Sequence, residues 1–79
     1  MISSIQAKYP TIRIYEPPPD ISDIALVYAT EKIDGEVSVY VISEVGIDKI
    51  FLFVKKDEVE AKIIINSYWR SLRKSKNKK

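Results

Sequence analysis

Two stretches of the chain alternate so regularly that they leave little choice of local structure. Val37 to Ser43 reads Val-Ser-Val-Tyr-Val-Ile-Ser and Lys49 to Lys55 reads Lys-Ile-Phe-Leu-Phe-Val-Lys, with Gly46 marking a turn between them. β-branched and aromatic residues at period two are the signature of strands that bury one face. The alternation sets Val37, Val39 and Val41 on the inner face and Ser38 and Tyr40 outward. In the second run Ile50, Leu52 and Val54 point inward while Lys49, Phe51, Phe53 and Lys55 share the other face. A shorter alternation over Thr11 to Tyr15 adds a third strand, with Ile12 and Ile14 opposite Thr11, Arg13 and Tyr15. These runs specify a small antiparallel sheet.

The connections decide the rest. Glu16-Pro17-Pro18-Pro19-Asp20 stops the first strand and reads as a rigid connector, because proline cannot donate to a ladder. The segment from Ile21 to Ile33 has two readings. As a helix it has Asp20 or Ser22 to cap it, Gly35 to end it, and Ile21, Ile24, Ala25 and Tyr28 at helical spacing. As a strand it has Val27, Tyr28 and Thr30, with Asp34-Gly35 as a two-residue hairpin turn. The helical spacing favours the helix, since alternation in the strand reading leaves both faces apolar. Asp57 caps a last helix whose Ala61, Ile64, Ile65, Tyr68, Trp69 and Leu72 form the core-facing stripe. Val59 and Ile63 fall on its far side, where a second protomer is one way to cover them. The expected architecture is α+β, a three-stranded antiparallel sheet in the order βαββα with both helices on one face. The alternative is a four-stranded antiparallel meander with a C-terminal helix. Residues 1–74 form a single compact domain and residues 75–79 a basic flexible tail.

At 79 residues the chain is limited to one domain. It contains neither Cys nor His, which excludes disulfides, thiol and imidazole catalysis and the common zinc sites. Asp20 and Asp57 read as caps, Asp34 as a turn residue, and Glu58 and Glu60 as acids at a helix start. No nucleophile and base pair can be nominated, so neither an enzyme nor a bound metal or cofactor is expected. No apolar run reaches the ~20 residues of a bilayer span, and the N-terminus lacks signal-peptide features. The expected compartment is the cytoplasm, with no membrane partner. Thirteen Ile against three Leu, with one Met and one Gln, resembles the composition of heat-adapted proteins.

Charge is segregated along the chain. Lys62, Arg70, Arg73, Lys74, Lys76, Lys78 and Lys79 lie in the last nineteen residues with no acid among them, whereas the first sixty hold all eleven acids and the other six cations. A basic C-terminal stretch on an acidic body points to a polyanionic partner. The outward sheet residues Arg13, Tyr15, Tyr40, Lys49, Phe51, Phe53 and Lys55 interleave rings with cations, a face on which bases stack while lysine and arginine meet phosphates. The functional expectation is a small basic protein that binds RNA or DNA, single-stranded by preference, through this face and the basic helix. The other reading is a protein-protein interaction or homodimerisation module whose Phe51/Phe53 face is the interface.

With strand, helix, strand, strand, helix over residues 11–74, PPDIS before the first helix, GEVSVYV entering the second strand and KIFLFV before an acidic-start helix, the chain resembles the RNA recognition motif. Lys49, Phe51, Phe53 and Val54 match the family's third-strand signature in register. Ile50 and Leu52 replace its small residues, Lys56 its last aromatic, and Arg13 stands where the first strand usually offers a ring. No apolar fourth strand follows Leu72. The resemblance implies a ferredoxin-like plan and single-strand binding by Phe51 and Phe53.

Overall fold

A computed structural model describes residues 2–77. Helix α1 (Ile2–Lys8) leads into strand β1 (Arg13–Tyr15), a 3-10 segment (Pro19–Ile24), strands β2 (Leu26–Ile33), β3 (Glu36–Ser43) and β4 (Lys49–Lys55), and helix α2 (Glu58–Asn77). The four strands form one antiparallel sheet in the order β1-β2-β3-β4. The α+β class and the antiparallel sheet agree with expectation, and of the two architectures the meander with a C-terminal helix is the one present.

The helix expected over residues 21–33 is confined to the 3-10 segment that ends at Ile24, and strand β2 takes its place from Leu26 on because of its position. β2 lies between β1 and β3 and is covered on both faces. Val27 and Ala29 pack with Ile5, Ile12 and Ile42 beneath α1, while Tyr28 packs with Val37, Val39, Ala61, Ile65 and Trp69 beneath α2. A strand buried on both faces has no reason to alternate, so the doubly apolar pattern that argued for a helix is that of a central strand. The turns enforce it. Ala25 closes the 3-10 segment in the left-handed region at φ 60° and redirects the chain into β2. Asp34 and Gly35 both have positive φ, 52° and 81°, the two-residue turn whose twist matches a hairpin, and they set Ile33 opposite Glu36.

The two helices lie on opposite faces of the sheet rather than on one. α1 is short, and Ile2, Ile5 and Tyr9 carry its apolar side onto β2 and β3. The Tyr9 hydroxyl donates to the Ile47 carbonyl at 2.9 Å and accepts from the Lys49 amide at 3.1 Å, clamping the β3-β4 turn. That turn carries its positive φ at Ile47 rather than at Gly46. On the other face α2 follows its expected stripe, with Ala61, Ile65 and Trp69 buried and Tyr68 and Leu72 packed beside them. Asp57 caps it, accepting from the Glu60 amide at 2.9 Å. Ser75, Lys76 and Asn77, expected in the tail, continue the helix. Lys78 and Lys79 lie outside the described residues. None of the helices among the described residues is long and apolar enough to cross a membrane.

The Trp69 indole meets the Tyr28 ring edge-on, with centroids 4.7 Å apart, at the centre of the α2 face. Trp69→Ala is expected to cost about 3–5 kcal/mol, read from urea denaturation as a lower midpoint with an unchanged slope.

Candidate nucleic-acid interface

Directly paired residues of neighbouring strands share a face, so the register places every sheet residue expected at the site. Val37 pairs with Lys55 and Val39 with Phe53, which puts Lys55 and Phe53 on the α2 side. Tyr40 pairs with Phe51 and Ile42 with Lys49, which puts Phe51 and Lys49 on the α1 side. The switch between them is a bulge opposite Val39 and Tyr40, where β4 carries one extra residue, Leu52. Arg13 pairs with Thr30 and Tyr15 with Tyr28, so both look toward α2.

The expected single platform is therefore divided. Arg13, Tyr15, Phe53 and Lys55 lie on the α2 face, Tyr40, Lys49 and Phe51 on the α1 face, and Phe51 and Phe53 do not share a surface. Alternation at period two set them together, and one inserted residue undoes it. Ile50, Leu52 and Val54, expected inward, are exposed because β4 is an edge strand on which α2 reaches Phe53 but leaves these three open.

Most of these groups are occupied within the chain. Tyr40 is buried, donates to Glu31 Oε1 at 3.1 Å and lies under the Lys49 ammonium at 4.4 Å from its ring centroid. Lys49 also reaches Glu31 at 3.4 Å. Glu31 accepts in addition from the Thr11 hydroxyl at 2.5 Å, and the Thr11 bond first, then Tyr40 and Lys49, hold its carboxyl below the usual range. Tyr15 donates to Glu58, which also accepts from Thr30 at 2.6 Å, so α2 is tied at its start to β1 and β2. Burial, then the bond to Glu58, pushes the Tyr15 phenol up. The hydrogen bond with Tyr15, with Glu58 nearby, raises the Arg13 guanidinium. Phe53 is half-buried edge-on to Tyr68, with Lys55 5.8 Å above its ring. Phe51 alone offers an open ring, 57% exposed beside Tyr40.

The basic helix is different. Lys62, Arg70 and Lys74 are exposed and stand with Asn66 on a single i, i+4 ridge of α2. At 1.5 Å per residue the ridge runs about 18 Å from Lys62 to Lys74. Ser67, Arg70, Ser71 and Lys74 line a shallow groove of about 200 Å³ along it. Arg73 does not belong to this surface, because its Nε and Nη2 donate to Asp20 at 2.5 and 3.0 Å. That pairing raises the Arg73 guanidinium and gives Asp20 a docking role in place of the expected cap. Lys76 belongs to the last turn of α2.

One cation escaped the sequence reading. Lys32 lies two residues beyond Thr30 on the same face of β2, and with Thr11, Arg13, Thr30 and Glu58 it lines a cleft of about 370 Å³ at the β1 edge. Glu58 is the residue one turn before Lys62, so the cleft opens at the head of the α2 ridge. The helix reading of residues 21–33 concealed this, since Lys32 joins Arg13 only when β2 is a strand.

The chain matches no family model, and comparison with curated proteins and with solved structures finds no match.

The division of the two rings has a direct consequence. Phe53→Ala is expected to cost about 2–3 kcal/mol, somewhat less than a fully buried ring, whereas Phe51→Ala stays within about 1 kcal/mol. Thermal melting of the pair reads the difference, and equal losses would place both rings on one surface. Glu31 predicts the acid limb. Its carboxylate is stabilised in the folded state, so its contribution is complete above the ordinary glutamate value of ~4.3 and is lost as pH falls through the lower folded value. Glu31→Gln should lower the urea midpoint at neutral pH yet flatten the decline below pH ~4, within the ordinary glutamate range.

Proposed function

We propose that this protein binds nucleic acid, RNA or DNA, through the phosphate backbone along the outward ridge of α2 rather than by stacking bases on the sheet. The observation that carries the reading is the ridge itself: Lys62, Arg70 and Lys74 are exposed in one line, and residues 61–77 contain no acid to oppose them. Such an array displaces condensed counterions and recognises phosphate without reading sequence. The hydroxyls of Ser67 and Ser71 beside Arg70 and Lys74 add neutral donors of the kind that meet phosphate oxygens. Arg13 and Lys32, in the cleft at the head of the ridge, extend the same track across the β1 edge.

Titration of labelled single-stranded and duplex oligonucleotides across a salt series tests the proposal. Affinity should fall linearly on log–log axes, by about 0.7 per neutralised phosphate on single strands and about 0.9 on duplex. Lys62→Ala, Arg70→Ala and Lys74→Ala should each flatten that slope by about one and weaken all sequences alike. Phe51→Ala should leave affinity unchanged. Absence of salt-dependent binding to every RNA and DNA probe would overturn the reading.

A further inference from the structure

Among the described residues, half of the exposed large hydrophobics lie on one strand. Ile50 and Phe51 are each 57% exposed, Val54 44% and Leu52 37%, all on β4 at an open edge of the sheet. The bulge that separates Phe51 from Phe53 also distributes this apolar surface over both faces of the edge. Phe51 and Val54 lie on the α1 side, paired with Tyr40 and Ser38, while Ile50 lies on the α2 side, paired with Val41. A partner laid against either face leaves the other uncovered. A strand added to the edge touches both at once, because its side chains stand about 4.5–5.5 Å from their neighbours on each face.

We propose that the added strand is β4 of a second copy of this chain, antiparallel about a two-fold axis perpendicular to the sheet, giving one continuous eight-stranded sheet. The charges select that occupant and that direction. β4 has Lys55 and Lys56 at its end and Asp48 just before its start. An antiparallel copy brings Lys55 and Lys56 toward Asp48 of the second copy, and the symmetry repeats the contact. A parallel strand of the same sequence would set lysine beside lysine. The other free edge, β1, has only three residues and an exposed Arg13, and offers no comparable strand.

Lysines and a bulge on an edge strand ordinarily discourage pairing. Here Lys49 is folded inward onto Glu31 and the rings of Tyr9 and Tyr40, and Lys55 lies along Phe53. The bulge is accommodated in the register that sets Lys55 opposite Asp48 of the second copy, since residues directly opposite must share a face. Ile50 then lies opposite Phe53 of the second copy, and Val54 opposite the aliphatic stem of its Lys49. Both α2 helices remain on the same side of the joined sheet, so their cationic ridges face the same way. The edge shares no residue with that ridge, so the dimer stands or falls separately from nucleic-acid binding.

Sedimentation velocity over a concentration series, with circular dichroism to confirm folding, decides the matter. The wild type should be a dimer that dissociates on dilution, with β4 amides protected from hydrogen exchange in the dimer and released in the monomer. Val54→Lys and Phe51→Lys replace exposed side chains, so each should fold and sediment as a monomer. Ile63→Lys, on the exposed apolar side of α2, should remain dimeric. A folded wild type that is monomeric at every concentration would overturn the proposal. So would a dimer that survives both β4 substitutions, or one lost through Ile63→Lys instead.

Discussion

The structure depends on burying β2 from both sides. A chain of 79 residues has little interior to distribute. Here β2 occupies the interior of the sheet, and its successive residues bury side chains on both faces. Val27 and Ala29 call for a cover that α1 supplies, and Tyr28 and Thr30 for one that α2 supplies. Removing either helix would leave β2 half-exposed, so the N-terminal helix, seven residues long, is required by the same strand that anchors the C-terminal one. The hydrogen bonds follow the same logic. Thr30, buried on the α2 side, donates to Glu58, and Tyr15 of the neighbouring strand reaches the same carboxylate. One acid thus satisfies two hydroxyls and fixes where α2 begins.

The parts of this fold legible in the sequence are those whose pattern reports local environment directly. Residues 37–43 and 49–55 alternate because they form strands, and Ala61, Ile65 and Trp69 recur at helical spacing because α2 covers only one face. Residues 26–33 were misread for a physical reason: a doubly covered strand and a buried helix present similar runs of apolar residues, and only Val27, Tyr28, Thr30 and Asp34-Gly35 argued for the strand. α1 was overlooked although Ile2, Ile5 and Tyr9 stand at helical spacing, because seven residues give the pattern barely two turns. The candidate site divided along the same line. The cations of α2 were readable because a helix surface follows from spacing alone. The platform of rings was not, because it required β4 to be regular across Leu52, and a bulge leaves no periodic trace.

That bulge has more influence on the molecular surface than any other single feature. With regular alternation, Ile50, Leu52 and Val54 would have lain on one face and Phe51 and Phe53 on the other. The extra residue turns Phe53 beneath Tyr68, where it completes the α2 core, and leaves Phe51 beside Tyr40 on the opposite side. The core gains a ring and the edge acquires apolar residues on both faces. A surface that might have offered two rings to bases thereby becomes an edge suited to another strand.

The charge segregation along the chain acquires a spatial meaning in this arrangement. Acids of the body that approach α2 do so at its ends: Glu58, Glu60 and Asp57 at the start, and Asp20 against Arg73 toward the end. The Asp20 pair is bidentate and half exposed, so it contributes orientation more than energy, fixing the 3-10 segment against the helix. It withdraws one arginine from the outward surface. Arg70 and Lys74 project about 60° and about 100° from Arg73 on the wheel and so stay clear of that contact, while Lys62 shares its direction about three turns earlier, away from Asp20 along the axis. The same helix can therefore be held to the acidic body by one cation while the others remain in water. That division of labour among like charges on one helix is what keeps the basic ridge available without costing the fold its anchor.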